Sequence, residues 1–270
     1  MTHQEVIKRW IAPNGVGTEI GAFETPIPSL SPYYVDRFSE YAGKPCLADY
    51  WGDACHLPFR SNSLDYVASS HVLEHVANPV AALLEWHRVL ADGGLIYMVV
   101  PDRRRTFDHN RNLSSPEHMW EDFQNKITQI DGTHVAEFVD GADWALYKPE
   151  ISESGVAADK AFAKEQYAHA IKHEVEINIH FHVFEPENLK ELILMVAERK
   201  KLSCKIVVCE EQFPNDSPNG ILLVVRVKKG ISGKLSSIVN RVLSRLKKKS
   251  VLTASARPIS EDEELRRLFL

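Results

Sequence analysis

Gly21 closes the short β-like run Thr18-Glu19-Ile20, and Asp36 closes another, Tyr33-Tyr34-Val35. A glycine at a strand end lets the backbone approach a ligand closely, and a plain strand-ending turn uses the same residue. A carboxylate ending the second strand, 17 residues after Glu19, can accept hydrogen bonds from both hydroxyls of a ribose. A lone aspartate there could equally be a solvated turn residue. Ser69, Ser70 and His71 end a third apolar run, Leu64 to Ser69, at the carboxyl edge where open α/β sheets bind ligands. Deprotonating a hydroxyl near neutral pH calls for a base such as histidine. His71 and His75 are the first candidates for it, and His180 and His182, just ahead of Pro186, the second. Glu74, between the first pair, reads as a polar residue at a helix start.

The other histidines of the middle stretch are His109, His118, His134, His169 and His173. His169 and His173 share a helix face at i, i+4, while His180 and His182 would share a strand face. No HExxH or comparable framework is present, so hydrogen-bonded or substrate-facing histidines are expected and no metal ion. Cys46, Cys55, Cys204 and Cys209 form no CxxC pair, which suits reduced, buried thiols in a cytoplasm.

The elements that must hold these residues alternate. Asn78-Pro79 opens a helix, with Asn as cap and Pro in the first turn, and Asp92-Gly93-Gly94 follows its end. Leu95 to Val100 is an unbroken apolar run of the kind a central parallel strand needs. Alternating strands and helices predict an α/β fold built on a mostly parallel sheet. Residues 102–180 interrupt the rhythm with a polar, aromatic-rich insert, carrying helices from Pro116 (Ser115 as cap) and over 157–173. The insert is either a lid over a polar acceptor or a small helical cap with its own core. A helix from Pro186 to about Lys200 and strands Cys204–Glu210 and Ile221–Lys228, joined by a turn-rich link, predict an antiparallel hairpin at the sheet edge.

The 270 residues carry 37 acidic and 32 basic side chains, a net charge of −5. From Arg226 onward there are 12 basic residues against 4 acidic, so the preceding body is strongly acidic and poorly suited to nucleic acid. Leu235, Ile238, Val239, Val242, Leu243 and Leu246 form a helical stripe amid lysines and arginines. The expected organisation is a domain over 1–229 followed by a basic amphipathic helix and flexible tail over 230–270. Lys234–Lys249 either meets an anionic membrane surface peripherally or docks on an acidic protein face. No run approaches the ~20 residues that span a bilayer, so a cytoplasmic chain, in part at the inner membrane surface, is expected.

GTEIGAF at 17–23, YYVDRF at 33–38 and the stretch from Gly52 to Gly94, with its LPF, VLEHV and RVL-x-x-GG elements in order, resemble the class I S-adenosylmethionine-dependent methyltransferases, in particular the small-molecule and quinone-biosynthesis group. The resemblance implies a Rossmann-like doubly wound sheet and S-adenosyl-L-methionine as cofactor. It implies that Glu19, Gly21, Ala22 and Phe23 lie at its methionine part, Asp36 and Arg37 at the ribose, and Asp53 and Ala54 at the adenine. It also places Ser69 and Ser70 beside the methyl-transfer centre. The pattern departs from the family in its first loop, which has one glycine where two or three are usual. Pro26, Pro28 and Pro32 leave almost no room for a first helix.

Methyl transfer to oxygen of a polar small molecule or a glycan or glycolipid precursor is the expectation, with the acceptor class resting on resemblance. A catalytically silent, membrane-associated adaptor of the same fold is the rival from another class. An NAD-dependent oxidoreductase or epimerase is disfavoured because no GxGxxG follows the first strand.

Overall fold

Seven strands form one sheet: β1 Gly17–Ile20, β2 Tyr33–Asp36, β3 Tyr50–Trp51, β4 Leu64–Ser70, β5 Leu90–Pro101, β6 Ser203–Phe213 and β7 Gly220–Lys228. The computed structural model describes residues 1–41, 43–128, 132–150, 155–173, 175, 177–231, 233–235, 237–238 and 251–258. The strand order is β3-β2-β1-β4-β5-β7-β6. The first five strands run parallel, and β7 lies antiparallel between β5 and β6. This is the mostly parallel sheet with an antiparallel edge hairpin that the sequence pattern predicts, in the Rossmann-like, doubly wound order that the resemblance implies. The order reverses between β1 and β4, which opens a crevice at their carboxyl ends.

Strand β5 shows how the two layers form. Ile96, Met98 and Val100 pack with helices α2 (Pro79–Val89) and α7 (Pro186–Arg199), which are preceded in chain order by α1 (His3–Trp10) and separated by α3 to α6. Leu95, Tyr97 and Val99 face the other way, onto Val6 and Ile7 of α1 and Ile27. The period of two in side-chain direction makes the run apolar on both faces because both faces are covered. Asn78 caps α2 by accepting from Ala81 N–H at 2.9 Å, and Ser115 caps α3 (Pro116–Gln124) by accepting from His118 N–H at 3.1 Å. Both starts fall where the Ser/Asn-Pro pairs predict them.

Residues 21–32, all described, contain no helix, so the three prolines have the effect expected of them. The insert comprises α3, α4 (Gly132–Gly141), α5 (Trp144–Tyr147) and α6 (Val156–Lys172). Phe138, Val139, Trp144, Ala163, Ile179 and Phe181 give its outer part a core of its own.

The reading of the C-terminus needs correction at 251–258. That segment is docked, with Val251 and Leu252 buried in the main core. Arg60 N–H donates to Val251 O at 2.8 Å, and Trp51 N–H donates to Arg257 O at 3.0 Å. Two apolar side chains and paired backbone groups hold it there, which a charge-based reading of the tail overlooks. Of the expected helix over 234–249, Lys234, Leu235, Ser237 and Ile238 are described as helical and the remainder lies outside the described residues. Leu235 and Ile238 are exposed, while buried Ser237 accepts from Asp92 N–H at 2.8 Å. No helix among the described residues is long and apolar enough to cross a membrane.

Candidate active site

Gly21 ends β1 with φ +65°, and a Cβ there would sit 2.8 Å from Val72 Cγ2. Both the left-handed backbone and the close approach demand glycine. Glu19, two residues earlier, is 1% exposed. Its Oε1 accepts from Ile27 N–H at 2.8 Å and its Oε2 has no partner. Burial lifts this carboxyl to about 7, with the Ile27 bond opposing. Glu19 therefore fastens the 21–32 loop to the sheet where a helix would otherwise have positioned it.

Asp36 ends β2 almost buried, its Oδ1 accepting from Phe38 N–H at 2.9 Å. Burial raises its pKa against that bond and the charge of Arg37. Past β3, Asp53 Oδ1 accepts from Cys55 N–H at 2.6 Å, and Ala54 O accepts from Trp86 Nε1 at 2.9 Å. These residues line two adjoining cavities of about 510 and 360 Å³, both walled by Gly21, Asp36, Val72 and His75. Asp36, Arg37, Asp53 and Ala54 belong to the larger one, over which the insert lays Phe123, Ile127, Ile171 and Phe181. Glu19, Ala22, Phe23, Ser70 and His71 belong to the smaller. A glycine-walled cradle beside a buried carboxylate, with an apolar cover, fits a nucleoside carrying a short polar extension.

His71 follows β4 with φ +54°, a conformation that is strained for any residue with a Cβ. Its Nδ1 lies 3.6 Å from Glu74 Oε1, and His75 Nε2 lies 3.7 Å from the same oxygen. Glu74 stands in the one-turn helix Leu73–His75, a helix-start position as the sequence suggested, but it does not face solvent. It is fully buried, neither oxygen has a hydrogen-bond partner, and burial drives its pKa well up. A neutral carboxyl is the form such a site tolerates. His75 Nδ1–H donates to Ile179 O at 3.0 Å, which leaves Nε2 as the bare nitrogen facing Glu74. Burial, followed by the charge of His180, lowers His71 to about 4 and His75 to about 3. Both imidazoles are neutral at pH 7, with lone pairs available.

His180 stands behind His75, ring centroids 4.7 Å apart, and lines neither cavity. Its Nδ1 is 2.6 Å from Asp108 Oδ2, whose other oxygen is 2.8 Å from the buried Arg111. Arg111 also meets Glu137 at 2.6 Å. The sequence thus misplaces His180 by one ring: it orients a neighbour of the cavity. His182 is corrected further, since it is wholly buried against Asp122 at 3.1 Å and lies outside the cleft. The shared strand face of the two does not exist, because residues 177–182 are irregular and the side chains enter different clusters. Ser69 is also corrected: it is buried in the sheet and lines neither cavity, alternation having turned it away while Ser70 faces in.

Asp108, Arg111 and Phe181 were missed as parts of this site. Asp108 and Arg111 at i, i+3 form a local signal, but the meeting of Asp108 with His180 spans 72 residues and is visible only in the fold.

A sheet of this order, with a glycine cradle and an acidic second-strand end at its switch point, is a Rossmann-like fold with a ligand crevice at the carboxyl edge of its strands. Residues 29–98 match the methyltransferase domain family. An uncharacterised 37.1 kDa transposon protein of Streptomyces fradiae is 33% identical over 97 residues, 33% of this chain and 28% of that protein. Demethylmenaquinone methyltransferase of Staphylococcus epidermidis is 49% identical over 45 residues, 17% of this chain and 19% of that enzyme. The chain therefore spans less than a third of the length of these relatives. Solved structures of S-adenosylmethionine-dependent methyltransferases from Mesorhizobium loti and Methanosarcina mazei are 10% and 12% identical. Each aligns with 83% of this chain, covering 97% and 98% of theirs, at TM-scores of 0.45 and 0.43.

Proposed function

We propose that this chain transfers a methyl group from S-adenosylmethionine to an oxygen of a polar small molecule, a glycan or glycolipid precursor being the preferred acceptor. The observation that carries the reading is the placement of neutral His71 on the same cavity as the Gly21 cradle. S-adenosylmethionine, when bound, supplies a methyl group activated on a positively charged sulfur. Asp36 would accept from the ribose hydroxyls, Asp53 and the Ala54 backbone would recognise the adenine, and Glu19, Gly21, Ala22, Phe23 and Ser70 would surround the charged end. Arg37 would close the ribose side. His71 would accept the hydroxyl proton of the acceptor, with His75 and Glu74 beside it and His180, held by Asp108, fixing the ring of His75. The covering insert would exclude water and orient the acceptor, which is the main contribution an in-line transfer requires.

Calorimetric titration with S-adenosylmethionine and S-adenosylhomocysteine tests the first half. Saturable binding is expected. Absence of any response would favour the silent adaptor, and a response to NAD the oxidoreductase. A methyl-transfer screen over sugar nucleotides, glycolipid precursors and quinone precursors, read by mass spectrometry, tests the acceptor. Product from quinones alone would overturn the glycan preference.

We also propose peripheral contact of the basic segment 234–249 with anionic membrane surfaces, at the inner membrane of a cytoplasmic enzyme. The exposed Leu235 and Ile238 at its start support it. Replacing Arg241, Arg245 and Lys247–Lys249 by glutamine should abolish co-sedimentation with phosphatidylglycerol vesicles. Undiminished sedimentation would remove the proposal.

A further inference from the structure

Away from the cleft, four donor atoms converge inside the insert. His118 and Asp122 project from one face of α3 at i, i+4, His134 from α4, and His182 from the irregular segment before α7. His118 Nε2 lies 3.1 Å from His134 Nε2, and His182 Nε2 lies 3.1 Å from Asp122 Oδ2. That same Oδ2 is 3.5 Å from His118 Nε2 and 3.6 Å from His134 Nε2. A tetrahedral ion with bonds of about 2.0–2.1 Å separates its donors by about 3.3 Å, in the middle of these values. The three imidazole rings have centroids 5.1, 5.3 and 5.7 Å apart. Three rings bound through Nε2 to one tetrahedral centre stand about 5.2 Å apart. Hydrogen bonding alone explains the two shortest contacts but not why three Nε2 atoms and one carboxylate oxygen face a single point.

We propose that this chain binds one divalent transition-metal ion, zinc by its donor set, through His118, Asp122, His134 and His182. The proposal revises the expectation of no metal, which rested on the absence of a contiguous ligand motif. The ligands here come from three elements, and only His118 and Asp122 are close in sequence. Four protein ligands close the coordination shell, the pattern of a structural rather than a hydrolytic zinc. The side chain of His118 is 45% exposed while those of His134 and His182 are nearly or wholly buried, so the ion has one side from which to enter. Its position gives it a task. Phe123 follows Asp122, and Phe181 precedes His182, and both aromatic rings line the cleft. Joining α3, α4 and the His182 segment would fix the cover over the proposed acceptor space.

The test uses the full chain, first stripped with chelator and then titrated with cobalt(II) and zinc, with circular dichroism to verify the fold. One equivalent of cobalt should develop the visible bands of a tetrahedral N/O site, and zinc should displace it. His118→Ala, at the exposed ligand, and the near-isosteric Asp122→Asn should each remove the bands and weaken zinc binding at least about 100-fold. The double variant His169→Ala/His173→Ala removes a close histidine pair outside the cluster and should bind as the unaltered chain does. A folded chain that takes up no cobalt, or bands that survive His118→Ala and Asp122→Asn, would overturn the proposal. Metal uptake is read without methyl transfer, so failure of the acceptor assignment leaves this result independent.

Discussion

Asp36 combines burial with a place on both cavities, so a ligand bonded to it gains a charge-assisted hydrogen bond shielded from water. Such bonds contribute about 1.5–3 kcal/mol, so Asp36→Ala should weaken S-adenosylhomocysteine binding roughly 10- to 100-fold by calorimetry. Unchanged affinity would remove the ribose assignment. His71 offers a different separation of effects. Its left-handed backbone costs about 1–2 kcal/mol that glycine would avoid, offset by about 0.5–1 kcal/mol of glycine's extra unfolded-state freedom. His71→Gly should therefore keep or slightly raise stability in urea denaturation while turnover falls about 10²–10⁴-fold. Turnover retained in that variant would show that the proton leaves by another route. At this scale the sequence was informative wherever a residue's role is local. Gly21, Asp36 and Ser70 can be placed from strand ends alone. The turning away of Ser69 needs the strand's exact alternation, and the burial of Glu74 depends on neighbours more than 100 residues distant, such as the Phe181 N–H that donates to its backbone carbonyl.

Among the elements, the loop between β1 and β2 is the most unusual. It is pinned through Glu19, and this pin is sensitive to pH. The folded carboxyl has its pKa raised from 4.5 to about 7, so the folded state holds the proton more firmly than the unfolded chain. Its contribution is complete below pH ~4.5 and is lost as pH rises through ~7, an effect on the order of 3 kcal/mol. Glu19→Gln should flatten the stability profile between pH 5 and 8 relative to the unaltered chain, measured by denaturant midpoints. A parallel profile would show that the carboxyl is already ionised in the fold. The lowered pKa values of His71 and His75 act in the opposite sense, withdrawing stability as pH falls below about 6.5, so the comparison must be of the two profiles and not of one slope. Helices α2, α3 and α7 were legible because proline-initiated starts announce them. The 177–182 segment was not, since alternating His180 and His182 mimic a strand whose backbone pairs with nothing in the sheet.

For the molecule as a whole, the acidic body and basic end are less separate than their charges suggest. Val251 and Leu252 bury two apolar side chains against the core, each contributing about 1.5–3 kcal/mol. Ending the chain at Ser250 should lower unfolding free energy by about 3–6 kcal/mol and the thermal midpoint with it. A midpoint unchanged on truncation would mean the docking is marginal in solution. Deletion of the whole end is accordingly a poor test of membrane contact, whereas charge replacement leaves the docked residues in place.

The same docking decides what can happen at the margins of the sheet. Pro258 pairs with Tyr50 on the outer side of β3, and a proline offers no N–H to a further strand. At the opposite margin, β6 departs from regular register between Ile206 and Val208 and again between Glu210 and Phe213, with Lys205 exposed between its pairing residues. Such interruptions and charges discourage edge-to-edge recruitment of other chains. The sheet is thus sealed against growth at both margins, and the protein should remain free of β-linked polymers at concentrations where an open-edged sheet would aggregate.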